Sequence, residues 1–313
     1  MITDLDVVAL GGNAIIPAGK TGTMQEQLAI TQSAMNEITA LLEHNRQVII
    51  THGNGPIVGN IVVRNEAAKD TIPPMPLDVC GADSQGGIGY MIQQSLRNAL
   101  HRRGLRREVV SIITQVRVDV HDPAFDNPVK PIGPYYTRDQ ADRLQRERGW
   151  ITVGDSNRGY RRVVASPRPV EIIESEVIRR LVASGTIVIA AGGGGIPVVC
   201  LQGQCQGREA VIDKDATSAL LAVDLGADRL IILTDVRAVY RDYGTPQATA
   251  ITKISLGDVR TLIDEGFFPP GSMGSKLAAA VDFLEGGGKS VIICRSDEMM
   301  AAVNGESGTT VTP

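Results

Sequence analysis

The stretch Leu5-Asp6-Val7-Val8-Ala9-Leu10-Gly11-Gly12 places a short aliphatic run directly before a pair of glycines. The run has the length and β-branched content of a buried strand, and the glycines predict a tight turn at its end. A second run, Gln47 to Thr51, stops at His52-Gly53-Asn54-Gly55. A third, Thr186 to Ala190, stops just before Gly192 to Gly195. Strands that end in glycine turns and alternate with helices favour a mainly parallel α/β sheet.

Helix-forming sequence separates these strands, with apolar residues at the three- and four-residue spacing of amphipathic helices. The predicted helices run from Met24 to His44, from Gln85 to Arg103, from Asp215 to Leu225, from Leu256 to Glu265 and from Lys276 to Leu284. Further strands are predicted from Glu108 to Thr114, from Arg229 to Thr234 and from Ser290 to Cys294. Because both halves contain strands that end in glycine turns, we expect two lobes on one sheet.

The composition fits this fold class. The 313 residues are 43% hydrophobic but only 4% aromatic, so the core must consist mainly of Val, Ile, Leu and Ala, which suits a parallel sheet covered by helices. The net charge of −4 argues against a nucleic-acid-binding protein, which normally has a basic face. The N-terminus has no basic segment before its apolar run, and no apolar stretch reaches the roughly 18 residues of a membrane span.

The four cysteines, Cys80, Cys200, Cys205 and Cys294, form no CxxC pair and lie mostly in apolar surroundings. A metal site at Cys200 and Cys205 would lack nearby His or Cys partners. We therefore expect reduced thiols in a cytoplasmic protein and no protein metal ligands.

The segment from His121 to Pro169 differs in character from the rest of the chain. It contains six prolines, many charges and the only tryptophan, Trp150. Prolines at this density interrupt regular elements. We expect an inserted subdomain, or lid, that emerges from the sheet.

The three glycine turns are candidates for anion binding. Ligands of open α/β sheets bind at the carboxyl ends of strands, where glycine lets backbone N–H groups approach an anion closely. One such turn could simply be a tight turn, whereas three at equivalent positions favour an anion site. The chain contains no Walker A sequence and no GxSxG elbow. Gly86-Gly87-Ile88-Gly89 does not follow a strand, which argues against a dinucleotide fingerprint.

Three lysines lie in settings that suit phosphoryl transfer, a reaction that depends mainly on positioned positive charge. Lys214 lies between two aspartates at the start of a predicted helix. Lys276 follows a Gly-Ser-Met-Gly-Ser loop, and Lys130 has prolines on both sides. On spacing alone, each lysine could equally be a solvated surface charge.

Two further features are open to two interpretations. His52 begins a glycine turn and is either structural or part of the site, while the scarcity of histidine weakens a zinc or His-based hydrolase interpretation. Thr234-Asp235-Val236 ends a strand and is followed by Tyr240 and Tyr243, which could surround a nucleotide. Asp235 could equally be an ordinary cap of a turn or helix.

Together these residues resemble the amino-acid kinase family and, within it, the carbamate kinases, over nearly the whole chain. The resemblance rests on Val7 to Ala14, Thr51 to Pro56, Pro76 to Ala82, Lys130 to Pro134, Arg158 to Val164, Gly192 to Pro197, Ala210 to Asp215 and Gly271 to Met273. Family members with other acceptors usually have a lysine just before the first glycine pair, where this chain has Ala9-Leu10. In carbamate kinases a lysine of the protruding subdomain meets that need, and Lys130 occupies the matching position.

The resemblance implies a single domain over residues 1–313, folded as a three-layer αβα sandwich with a mainly parallel central sheet. Its N-terminal lobe, 1–185, would bind carbamate and include a small protruding subdomain at 121–165, and its C-terminal lobe, 186–313, would bind the nucleotide. The resemblance further implies reversible, Mg²⁺-dependent phosphoryl transfer between ATP and carbamate. The physiological direction would be toward ATP, in arginine metabolism, and the enzyme would be a homodimer.

The resemblance also assigns roles to individual residues. It implies that Asn13 and the backbone of Gly11 and Gly12 bind the transferred phosphoryl group. Lys130 would balance charge on the carbamate side, and Asp215 would orient the lysines. On the nucleotide side the charge would come from Lys214 and Lys276. The carbamate pocket would be lined by Gly53, Asn54 and Gly55, and the nucleotide would be surrounded by Thr234, Asp235, Val236, Tyr240, Tyr243 and Met273.

Some positions depart from the family pattern. Ile57 stands where glutamine is common, and Asp83 stands where an apolar residue is common, so both bear on acceptor identity. One alternative is a relative that phosphorylates another small acid, although the proline-framed Lys130 argues against an acetylglutamate acceptor. Another is a non-catalytic nucleotide sensor on the same fold, which the presence of all three lysines argues against.

Overall fold

Short strands and longer helices alternate along the chain, as the sequence predicts. The computed structural model describes residues 4–12, 22–155, 159–268 and 273–313. The strands are β1 Leu5–Leu10, β2 Gln47–His52, β3 Val109–Ser111, β4 Gln115–Val118, β5 Lys130–Tyr136, β6 Ile151–Asp155, β7 Gly159–Val164, β8 Pro169–Ile172, β9 Ile187–Ile189, β10 Ile196–Leu201, β11 Gln204–Gly207, β12 Arg229–Thr234, β13 Val239–Arg241, β14 Thr249–Ile251, β15 Lys253–Ser255, β16 Ser290–Arg295 and β17 Thr309–Thr312.

The helices pack on both faces of the sheet. They are α1 Met24–Glu43, α2 Gly55–Ala68, α3 Leu77–Arg102, α4 Arg138–Arg148, α5 Ser175–Ala183, α6 Lys214–Leu225, α7 Leu256–Asp264, α8 Met273–Glu285 and α9 Met299–Val303. In the described ranges, no helix combines the length and apolar character needed to cross a membrane.

The central sheet brings the ends of the glycine-terminated strands together. Within the described residues its strand order is β15-β17-β16-β12-β1-β2-β9-β3. Neighbouring strands from β16 through β3 pair in parallel, whereas β17 runs antiparallel to β16. The carboxyl ends of β12, β1, β2 and β9 therefore lie side by side, at the edge where open α/β sheets bind ligands.

Alternate side chains of each strand pack on opposite faces of the sheet. In β1, Leu5 and Val7 belong to one buried apolar cluster, whereas Val8 and Leu10 belong to another, as the two-residue period of a strand requires. Helices α5, α6, α7 and α8 contribute to the first cluster, and α1, α3 and α9 contribute to the second. The result is a three-layer αβα sandwich with a mainly parallel central sheet, which confirms the predicted fold class.

A buried ion cluster joins the amino ends of three neighbouring strands. Asp6 in β1 is fully buried. Its carboxylate accepts hydrogen bonds of 2.5 and 2.7 Å from Arg46, just before β2, and of 2.9 and 2.7 Å from Arg229, which begins β12. Removing one partner would leave a buried charge less well compensated, so the cluster supports the register of β2, β1 and β12.

The proline-rich segment forms a small antiparallel sheet, β5-β7-β6, apart from the central one. The rings of Trp150 and Tyr136 have centroids 6.4 Å apart, and Cζ of Arg162 lies 4.2 Å from the Trp150 ring centroid. The expectation that prolines interrupt regular elements is wrong for Pro131 and Pro134, which lie within β5. They are tolerated because β5 is an edge strand, and at Pro134 its pairing with β7 is also irregular.

A close contact between two glycines joins this small sheet to the main body. A Cβ atom added to Gly59 of α2 would lie 2.3 Å from the Cα of Gly133 in β5. Such a distance is closer than real Cβ atoms approach, so only glycine at position 59 lets β5 lie directly on α2. This contact determines where Lys130, the first residue of β5, lies relative to the sheet.

Several element bounds differ from those expected from the sequence. Helix α3 begins at Leu77, well before the predicted start at Gln85, and α2 was not predicted. Glycine contributes to both differences, since it costs about 1 kcal/mol of helix propensity. Helix α2 contains Gly55 and Gly59, and the unpredicted start of α3 contains Gly81. The segment predicted as one strand from Glu108 to Thr114 contains only β3, and β4 begins after it.

The cysteines correct another expectation. Cys200 on β10 and Cys205 on β11 are directly opposed and form a disulfide, so they are not reduced thiols. Cys80 and Cys294 are free and buried, as expected. The two cysteines are five positions apart, and they face each other only because a two-residue hairpin turn joins β10 to β11. The sequence spacing alone does not indicate this pairing.

Candidate active site

The first two glycine turns lie against each other at the carboxyl edge of the sheet. The N–H of Gly53 donates a hydrogen bond of 3.0 Å to the carbonyl of Leu10. A Cβ atom added to Gly53 would lie 3.2 Å from the nitrogen of Gly12 and 3.3 Å from Cδ of Lys214. The lack of a side chain at Gly53 therefore lets both turns and Lys214 converge. Asn13, predicted to bind the phosphoryl group, lies outside the described residues.

Asp215 holds two of the predicted lysines. Its carboxylate, with a side chain only 3% exposed, pairs through Oδ1 with Nζ of Lys214. Its Oδ2 lies 3.3 Å from Nζ of Lys276. The lysine side chains are themselves only 12% and 16% exposed. Because each carboxylate oxygen has its own ammonium partner, Asp215 fixes two cations side by side and leaves the group with net positive charge.

Burial alters the protonation of Lys214. Desolvation lowers the pKa of its ammonium group below the ordinary value, and the neighbouring Lys276 lowers it further. Asp215 opposes both effects through its charge and its hydrogen bond. A cation held in such a water-poor site interacts more strongly with a phosphoryl group than a surface lysine does.

Asp213 connects the protruding subdomain to the helix that contains Lys214. Its Oδ1 caps α6 by accepting hydrogen bonds from the N–H groups of Asp215, at 2.9 Å, and Ala216, at 3.4 Å. Its Oδ2 lies 2.7 Å from Nζ of Lys130. Burial alone would raise the pKa of the Asp213 carboxyl, but the ammonium groups of Lys130 and Lys214 outweigh burial and lower it. Lys130 thus reaches the same site as Lys214.

Two hydroxyl groups hold the first turn of α6 against the sheet. Thr217 donates a hydrogen bond of 2.9 Å from its hydroxyl to the carbonyl of Gly194 in the third glycine turn. The Ser218 hydroxyl lies 2.6 Å from that of Thr51 at the end of β2. These bonds, together with the cap, determine the position of the lysine and aspartate that begin the helix.

Asn54 packs the second glycine turn onto the third. Its Nδ2 donates a hydrogen bond of 2.8 Å to the hydroxyl of Ser84 on α3. A Cβ atom added to Gly193 would lie 2.1 Å from the same nitrogen, so only glycine fits there. Among the described atoms, none lies within 4 Å of a Cβ placed on Gly55, which leaves open space at the start of α2.

His52 supports the same pair of turns in a neutral form. It is 1% exposed, and its Nδ1 lies 3.1 Å from the carbonyl of Gly53. Its other ring nitrogen packs against Gly192, where an added Cβ would lie 2.3 Å away. Burial, with a smaller contribution from the Lys214 charge, lowers the pKa of His52 to about 4. The ring is therefore neutral near pH 7 and adds no charge to the site.

A buried amide holds the third glycine turn in place. Nε2 of Gln85 donates hydrogen bonds of 3.0 Å to the carbonyls of Gly192 and Thr114. Its Oε1 accepts a bond of 2.7 Å from the N–H of Thr114, whose hydroxyl in turn accepts one of 2.9 Å from Ala191. The turn is therefore fixed on both sides, as a preorganised anion site requires.

A cavity of about 620 Å³ opens beside the lysines Lys214 and Lys276. Its walls include the first glycine pair, the two lysines and four aromatic side chains. It is lined by Gly11, Gly12, Lys214, Leu233, Thr234, Asp235, Val236, Ala238, Tyr240, Asp242, Tyr243, Phe267, Phe268, Met273 and Lys276. The volume is typical of small-molecule sites. These walls suit a ligand with a flat apolar group and an anionic tail.

Comparison with known proteins agrees with this geometry. The family model for the amino acid kinase family matches residues 5–295. The chain belongs to the amino acid kinase family. The carbamate kinase of Pyrococcus horikoshii is 48% identical over 309 residues, which cover 98% of each chain. The carbamate kinase of Staphylococcus epidermidis strain RP62A is 46% identical over 310 residues, again 98% of each.

A solved structure of this family is similar over its whole length. Carbamate kinase from Giardia lamblia bound to AMP-PNP aligns with a TM-score of 0.92 and 40% identity, covering 99% of this chain and 98% of that chain. The resemblance to the family, inferred from the motifs, is confirmed.

Several residues of this candidate site were not predicted from the sequence. Asp213 had a usable signal, since an aspartate directly before a predicted helix is a typical N-cap. Phe267 and Phe268 had a weak one, as an adjacent aromatic pair in a chain with few aromatics. Gln85 and Thr114 had none, because their partners are backbone groups of a distant turn.

We expect Asp213→Asn to lower the kcat/KM of phosphoryl transfer by about tenfold, the order of one hydrogen bond to a charged group. Asparagine caps helices as well as aspartate does, so α6 stays intact while the ion pair with Lys130 is lost. The measurements are steady-state kinetics of ATP formation, ADP affinity by calorimetry and the unfolding temperature. Asp213→Ala is the control, since it removes the cap as well and should cost about 1 kcal/mol of stability. Unchanged kcat/KM in the asparagine variant would show that the pair does not position Lys130.

Proposed function

We propose that the protein transfers a phosphoryl group reversibly between ATP and carbamate, with ADP and carbamoyl phosphate as the other pair. The observation that carries the proposal is the convergence of three lysines. Asp215 holds Lys214 and Lys276 beside the cavity, and Asp213 holds Lys130 from the protruding subdomain. A phosphoryl group in transfer is negatively charged on all its oxygens, so cations placed around it supply most of the catalysis.

The nucleotide is proposed to lie in the 620 Å³ cavity. Its base would contact the aromatic side chains, among which the rings of Tyr240 and Tyr243 have centroids 5.8 Å apart. The phosphates would extend toward Lys214 and Lys276, with Thr234, Asp235, Val236 and Met273 along the way. This orientation brings the terminal phosphate to the backbone of Gly11 and Gly12.

Carbamate is proposed to occupy the side of Gly53, Asn54 and Gly55. These residues adjoin Gly12 and Lys214, which line the cavity, and the third glycine turn. Lys130 would neutralise charge on the acceptor as its oxygen attacks the phosphorus in line. The alternative of a nucleotide sensor leaves this lysine without a role, and the relatives named above favour carbamate over another small acid.

Mg²⁺ is proposed to enter with the nucleotide. Both oxygens of Asp215 are already paired with lysines. Among the described residues, no group of three or more His, Cys, Asp or Glu side chains is arranged to hold a metal ion. These residues do not form a protein metal cage, whereas nucleotide phosphates are the usual ligands of catalytic Mg²⁺.

Further properties remain proposals from the family resemblance. They are the lobes 1–185 for carbamate and 186–313 for the nucleotide, the subdomain at 121–165, a cytoplasmic homodimer, and a physiological direction toward ATP in arginine metabolism. Close packing of Gly59 on Gly133 supports a subdomain that moves with α2 rather than independently of it.

The test is ATP formation from carbamoyl phosphate and ADP by the purified protein, detected with a coupled enzyme and repeated without Mg²⁺. We expect ATP formation that depends on all three components. In the forward direction, acetylglutamate and glutamate serve as control acceptors and should give no product. The absence of ATP above background at saturating substrates, while a known carbamate kinase is active in the same assay, would exclude the proposed reaction.

A further inference from the structure

The hairpin β10–β11 places two cysteines directly opposite each other. Cys200 and Cys205 are register partners in its antiparallel ladder and are joined by a disulfide, with Cα atoms 4.0 Å apart. Cys200 is half-buried, whereas Cys205 and the residues on either side of it are exposed. The proposed phosphoryl transfer does not use either sulfur, and neither residue lines the cavity described above.

The hairpin does not need the disulfide to keep its shape. Its ladder pairs Val198 with Gly207, and the pairing continues without a gap to Leu201 and Gln204 next to the turn. The two turn residues, Gln202 and Gly203, have φ of +51° and +80°, as a two-residue turn of type I′ requires. A disulfide that closes so short a loop removes little entropy from the unfolded chain. The ladder and the turn therefore support the hairpin independently of the bond.

The other two cysteines are protected. Cys80 and Cys294 each have 0% exposure. Burial raises the pKa of the Cys80 thiol and raises that of Cys294 to about 12. Since the thiolate is the reactive form and must be reached from solvent, thiol chemistry in the native protein is confined to the hairpin.

We propose that Cys200 and Cys205 form a reversible dithiol–disulfide modification site that exchanges with low-molecular-weight thiols and disulfides. In the oxidising direction, the more exposed Cys205 thiolate attacks one sulfur of a small disulfide and releases one small thiolate, which leaves a mixed disulfide. The Cys200 thiolate then attacks the Cys205 sulfur, forms the protein disulfide and releases the second small thiolate. Two electrons pass to the small disulfide, and the two protons of the cysteines end on the two released thiols. Reduction by a small thiol is the reverse.

The test uses the folded, full-length protein equilibrated with reduced or with oxidised glutathione, then labelled with N-ethylmaleimide and weighed by mass spectrometry. Reduced glutathione should expose both hairpin cysteines to labelling, and oxidised glutathione should abolish their labelling. The double variant Cys80→Ser, Cys294→Ser should behave in the same way, because its substitutions leave the hairpin unchanged.

Two single variants resolve the order of the steps. Cys200→Ser should trap glutathione on Cys205 as a stable mixed disulfide, because the resolving thiol is missing. Cys205→Ser should acquire glutathione at least several-fold more slowly, because the remaining thiol is half-buried. Equal rates would overturn the assigned order.

Thermal unfolding followed by circular dichroism separates a modification site from a structural staple. The unfolding temperatures of the reduced and oxidised proteins should agree to within a few degrees. A native labelling pattern that is the same in both glutathione buffers would overturn the proposal. So would a large fall in unfolding temperature on reduction, which would make the bond a structural staple. None of these readouts depends on the proposed kinase activity.

Discussion

Lys214→Ala is expected to lower the turnover of ATP formation by about 100- to 1000-fold, as removal of one donor that stabilises transition-state charge typically does. Lys214 lines the 620 Å³ cavity proposed to hold the nucleotide, and its side chain is 12% exposed and paired with Asp215. No other described cation occupies that position, because Lys276 is paired with the second oxygen of Asp215. Steady-state kinetics at saturating carbamoyl phosphate and ADP measure the loss.

The matched control for this variant is Lys253→Ala. Lys253 is an exposed lysine at the start of β15, on the edge of the sheet, and does not line the cavity. Its removal should leave turnover within about twofold of wild type, because a solvated surface charge contributes little. Circular dichroism should show the same helix content for both variants. A Lys214→Ala enzyme within about threefold of wild-type turnover would contradict the assigned role.

Lys130→Ala is expected to slow phosphoryl transfer by a comparable factor of about 100 or more while changing ADP affinity little. Lys130 begins β5, and its ammonium group reaches the site through Asp213 rather than through the Asp215 pair. This separate anchoring supports its proposed role on the acceptor side. Calorimetry of ADP binding and single-turnover transfer measure the two effects separately.

Arg143→Ala is the matched control within the same subdomain. Arg143 is an exposed cation on α4, so its loss should affect neither ADP binding nor transfer. Comparison of the two variants removes any general effect of lowering the positive charge of the subdomain. If Lys130→Ala abolished ADP binding while transfer from the bound complex stayed normal, Lys130 would belong to the nucleotide site.

The fold was accessible from the sequence because its signals are local. β1 and β12 have the bounds that their aliphatic runs predict. The grouping of the glycine turns could also be predicted, since parallel strands have their carboxyl ends at the same edge of the sheet. The start of helix α3 was not predicted, because Gly81 lowers helix propensity there and burial of Leu77 and Cys80 in an apolar cluster with α2 overrides that preference.

Some site residues could likewise be predicted from local sequence, whereas others depend on contacts made only in the folded protein. Lys214 and Lys276 were recognisable from their positions at helix starts, and Thr234, Asp235 and Val236 from their place at the end of β12. The role of Asp213 was not recognisable, because its partner Lys130 is 83 positions away along the chain. The neutral state of His52 was also inaccessible, since it depends on complete burial between two turns.

The sequence by itself determined the mainly parallel αβα architecture, the three glycine turns and the choice of the three lysines as site candidates. Each of these features is indicated by a pattern within a few consecutive residues. Only the tertiary structure decided that Asp215 pairs with two lysines, that Asp213 pairs with a third, and that Cys200 pairs with Cys205. The pairs of Lys130 with Asp213 and of Lys276 with Asp215 depend on which distant segments the fold brings within 4 Å, and the cysteine pair depends on the register of one hairpin. Local periodicity carries no information about those distances, so the electrostatic arrangement of the site emerges only on folding.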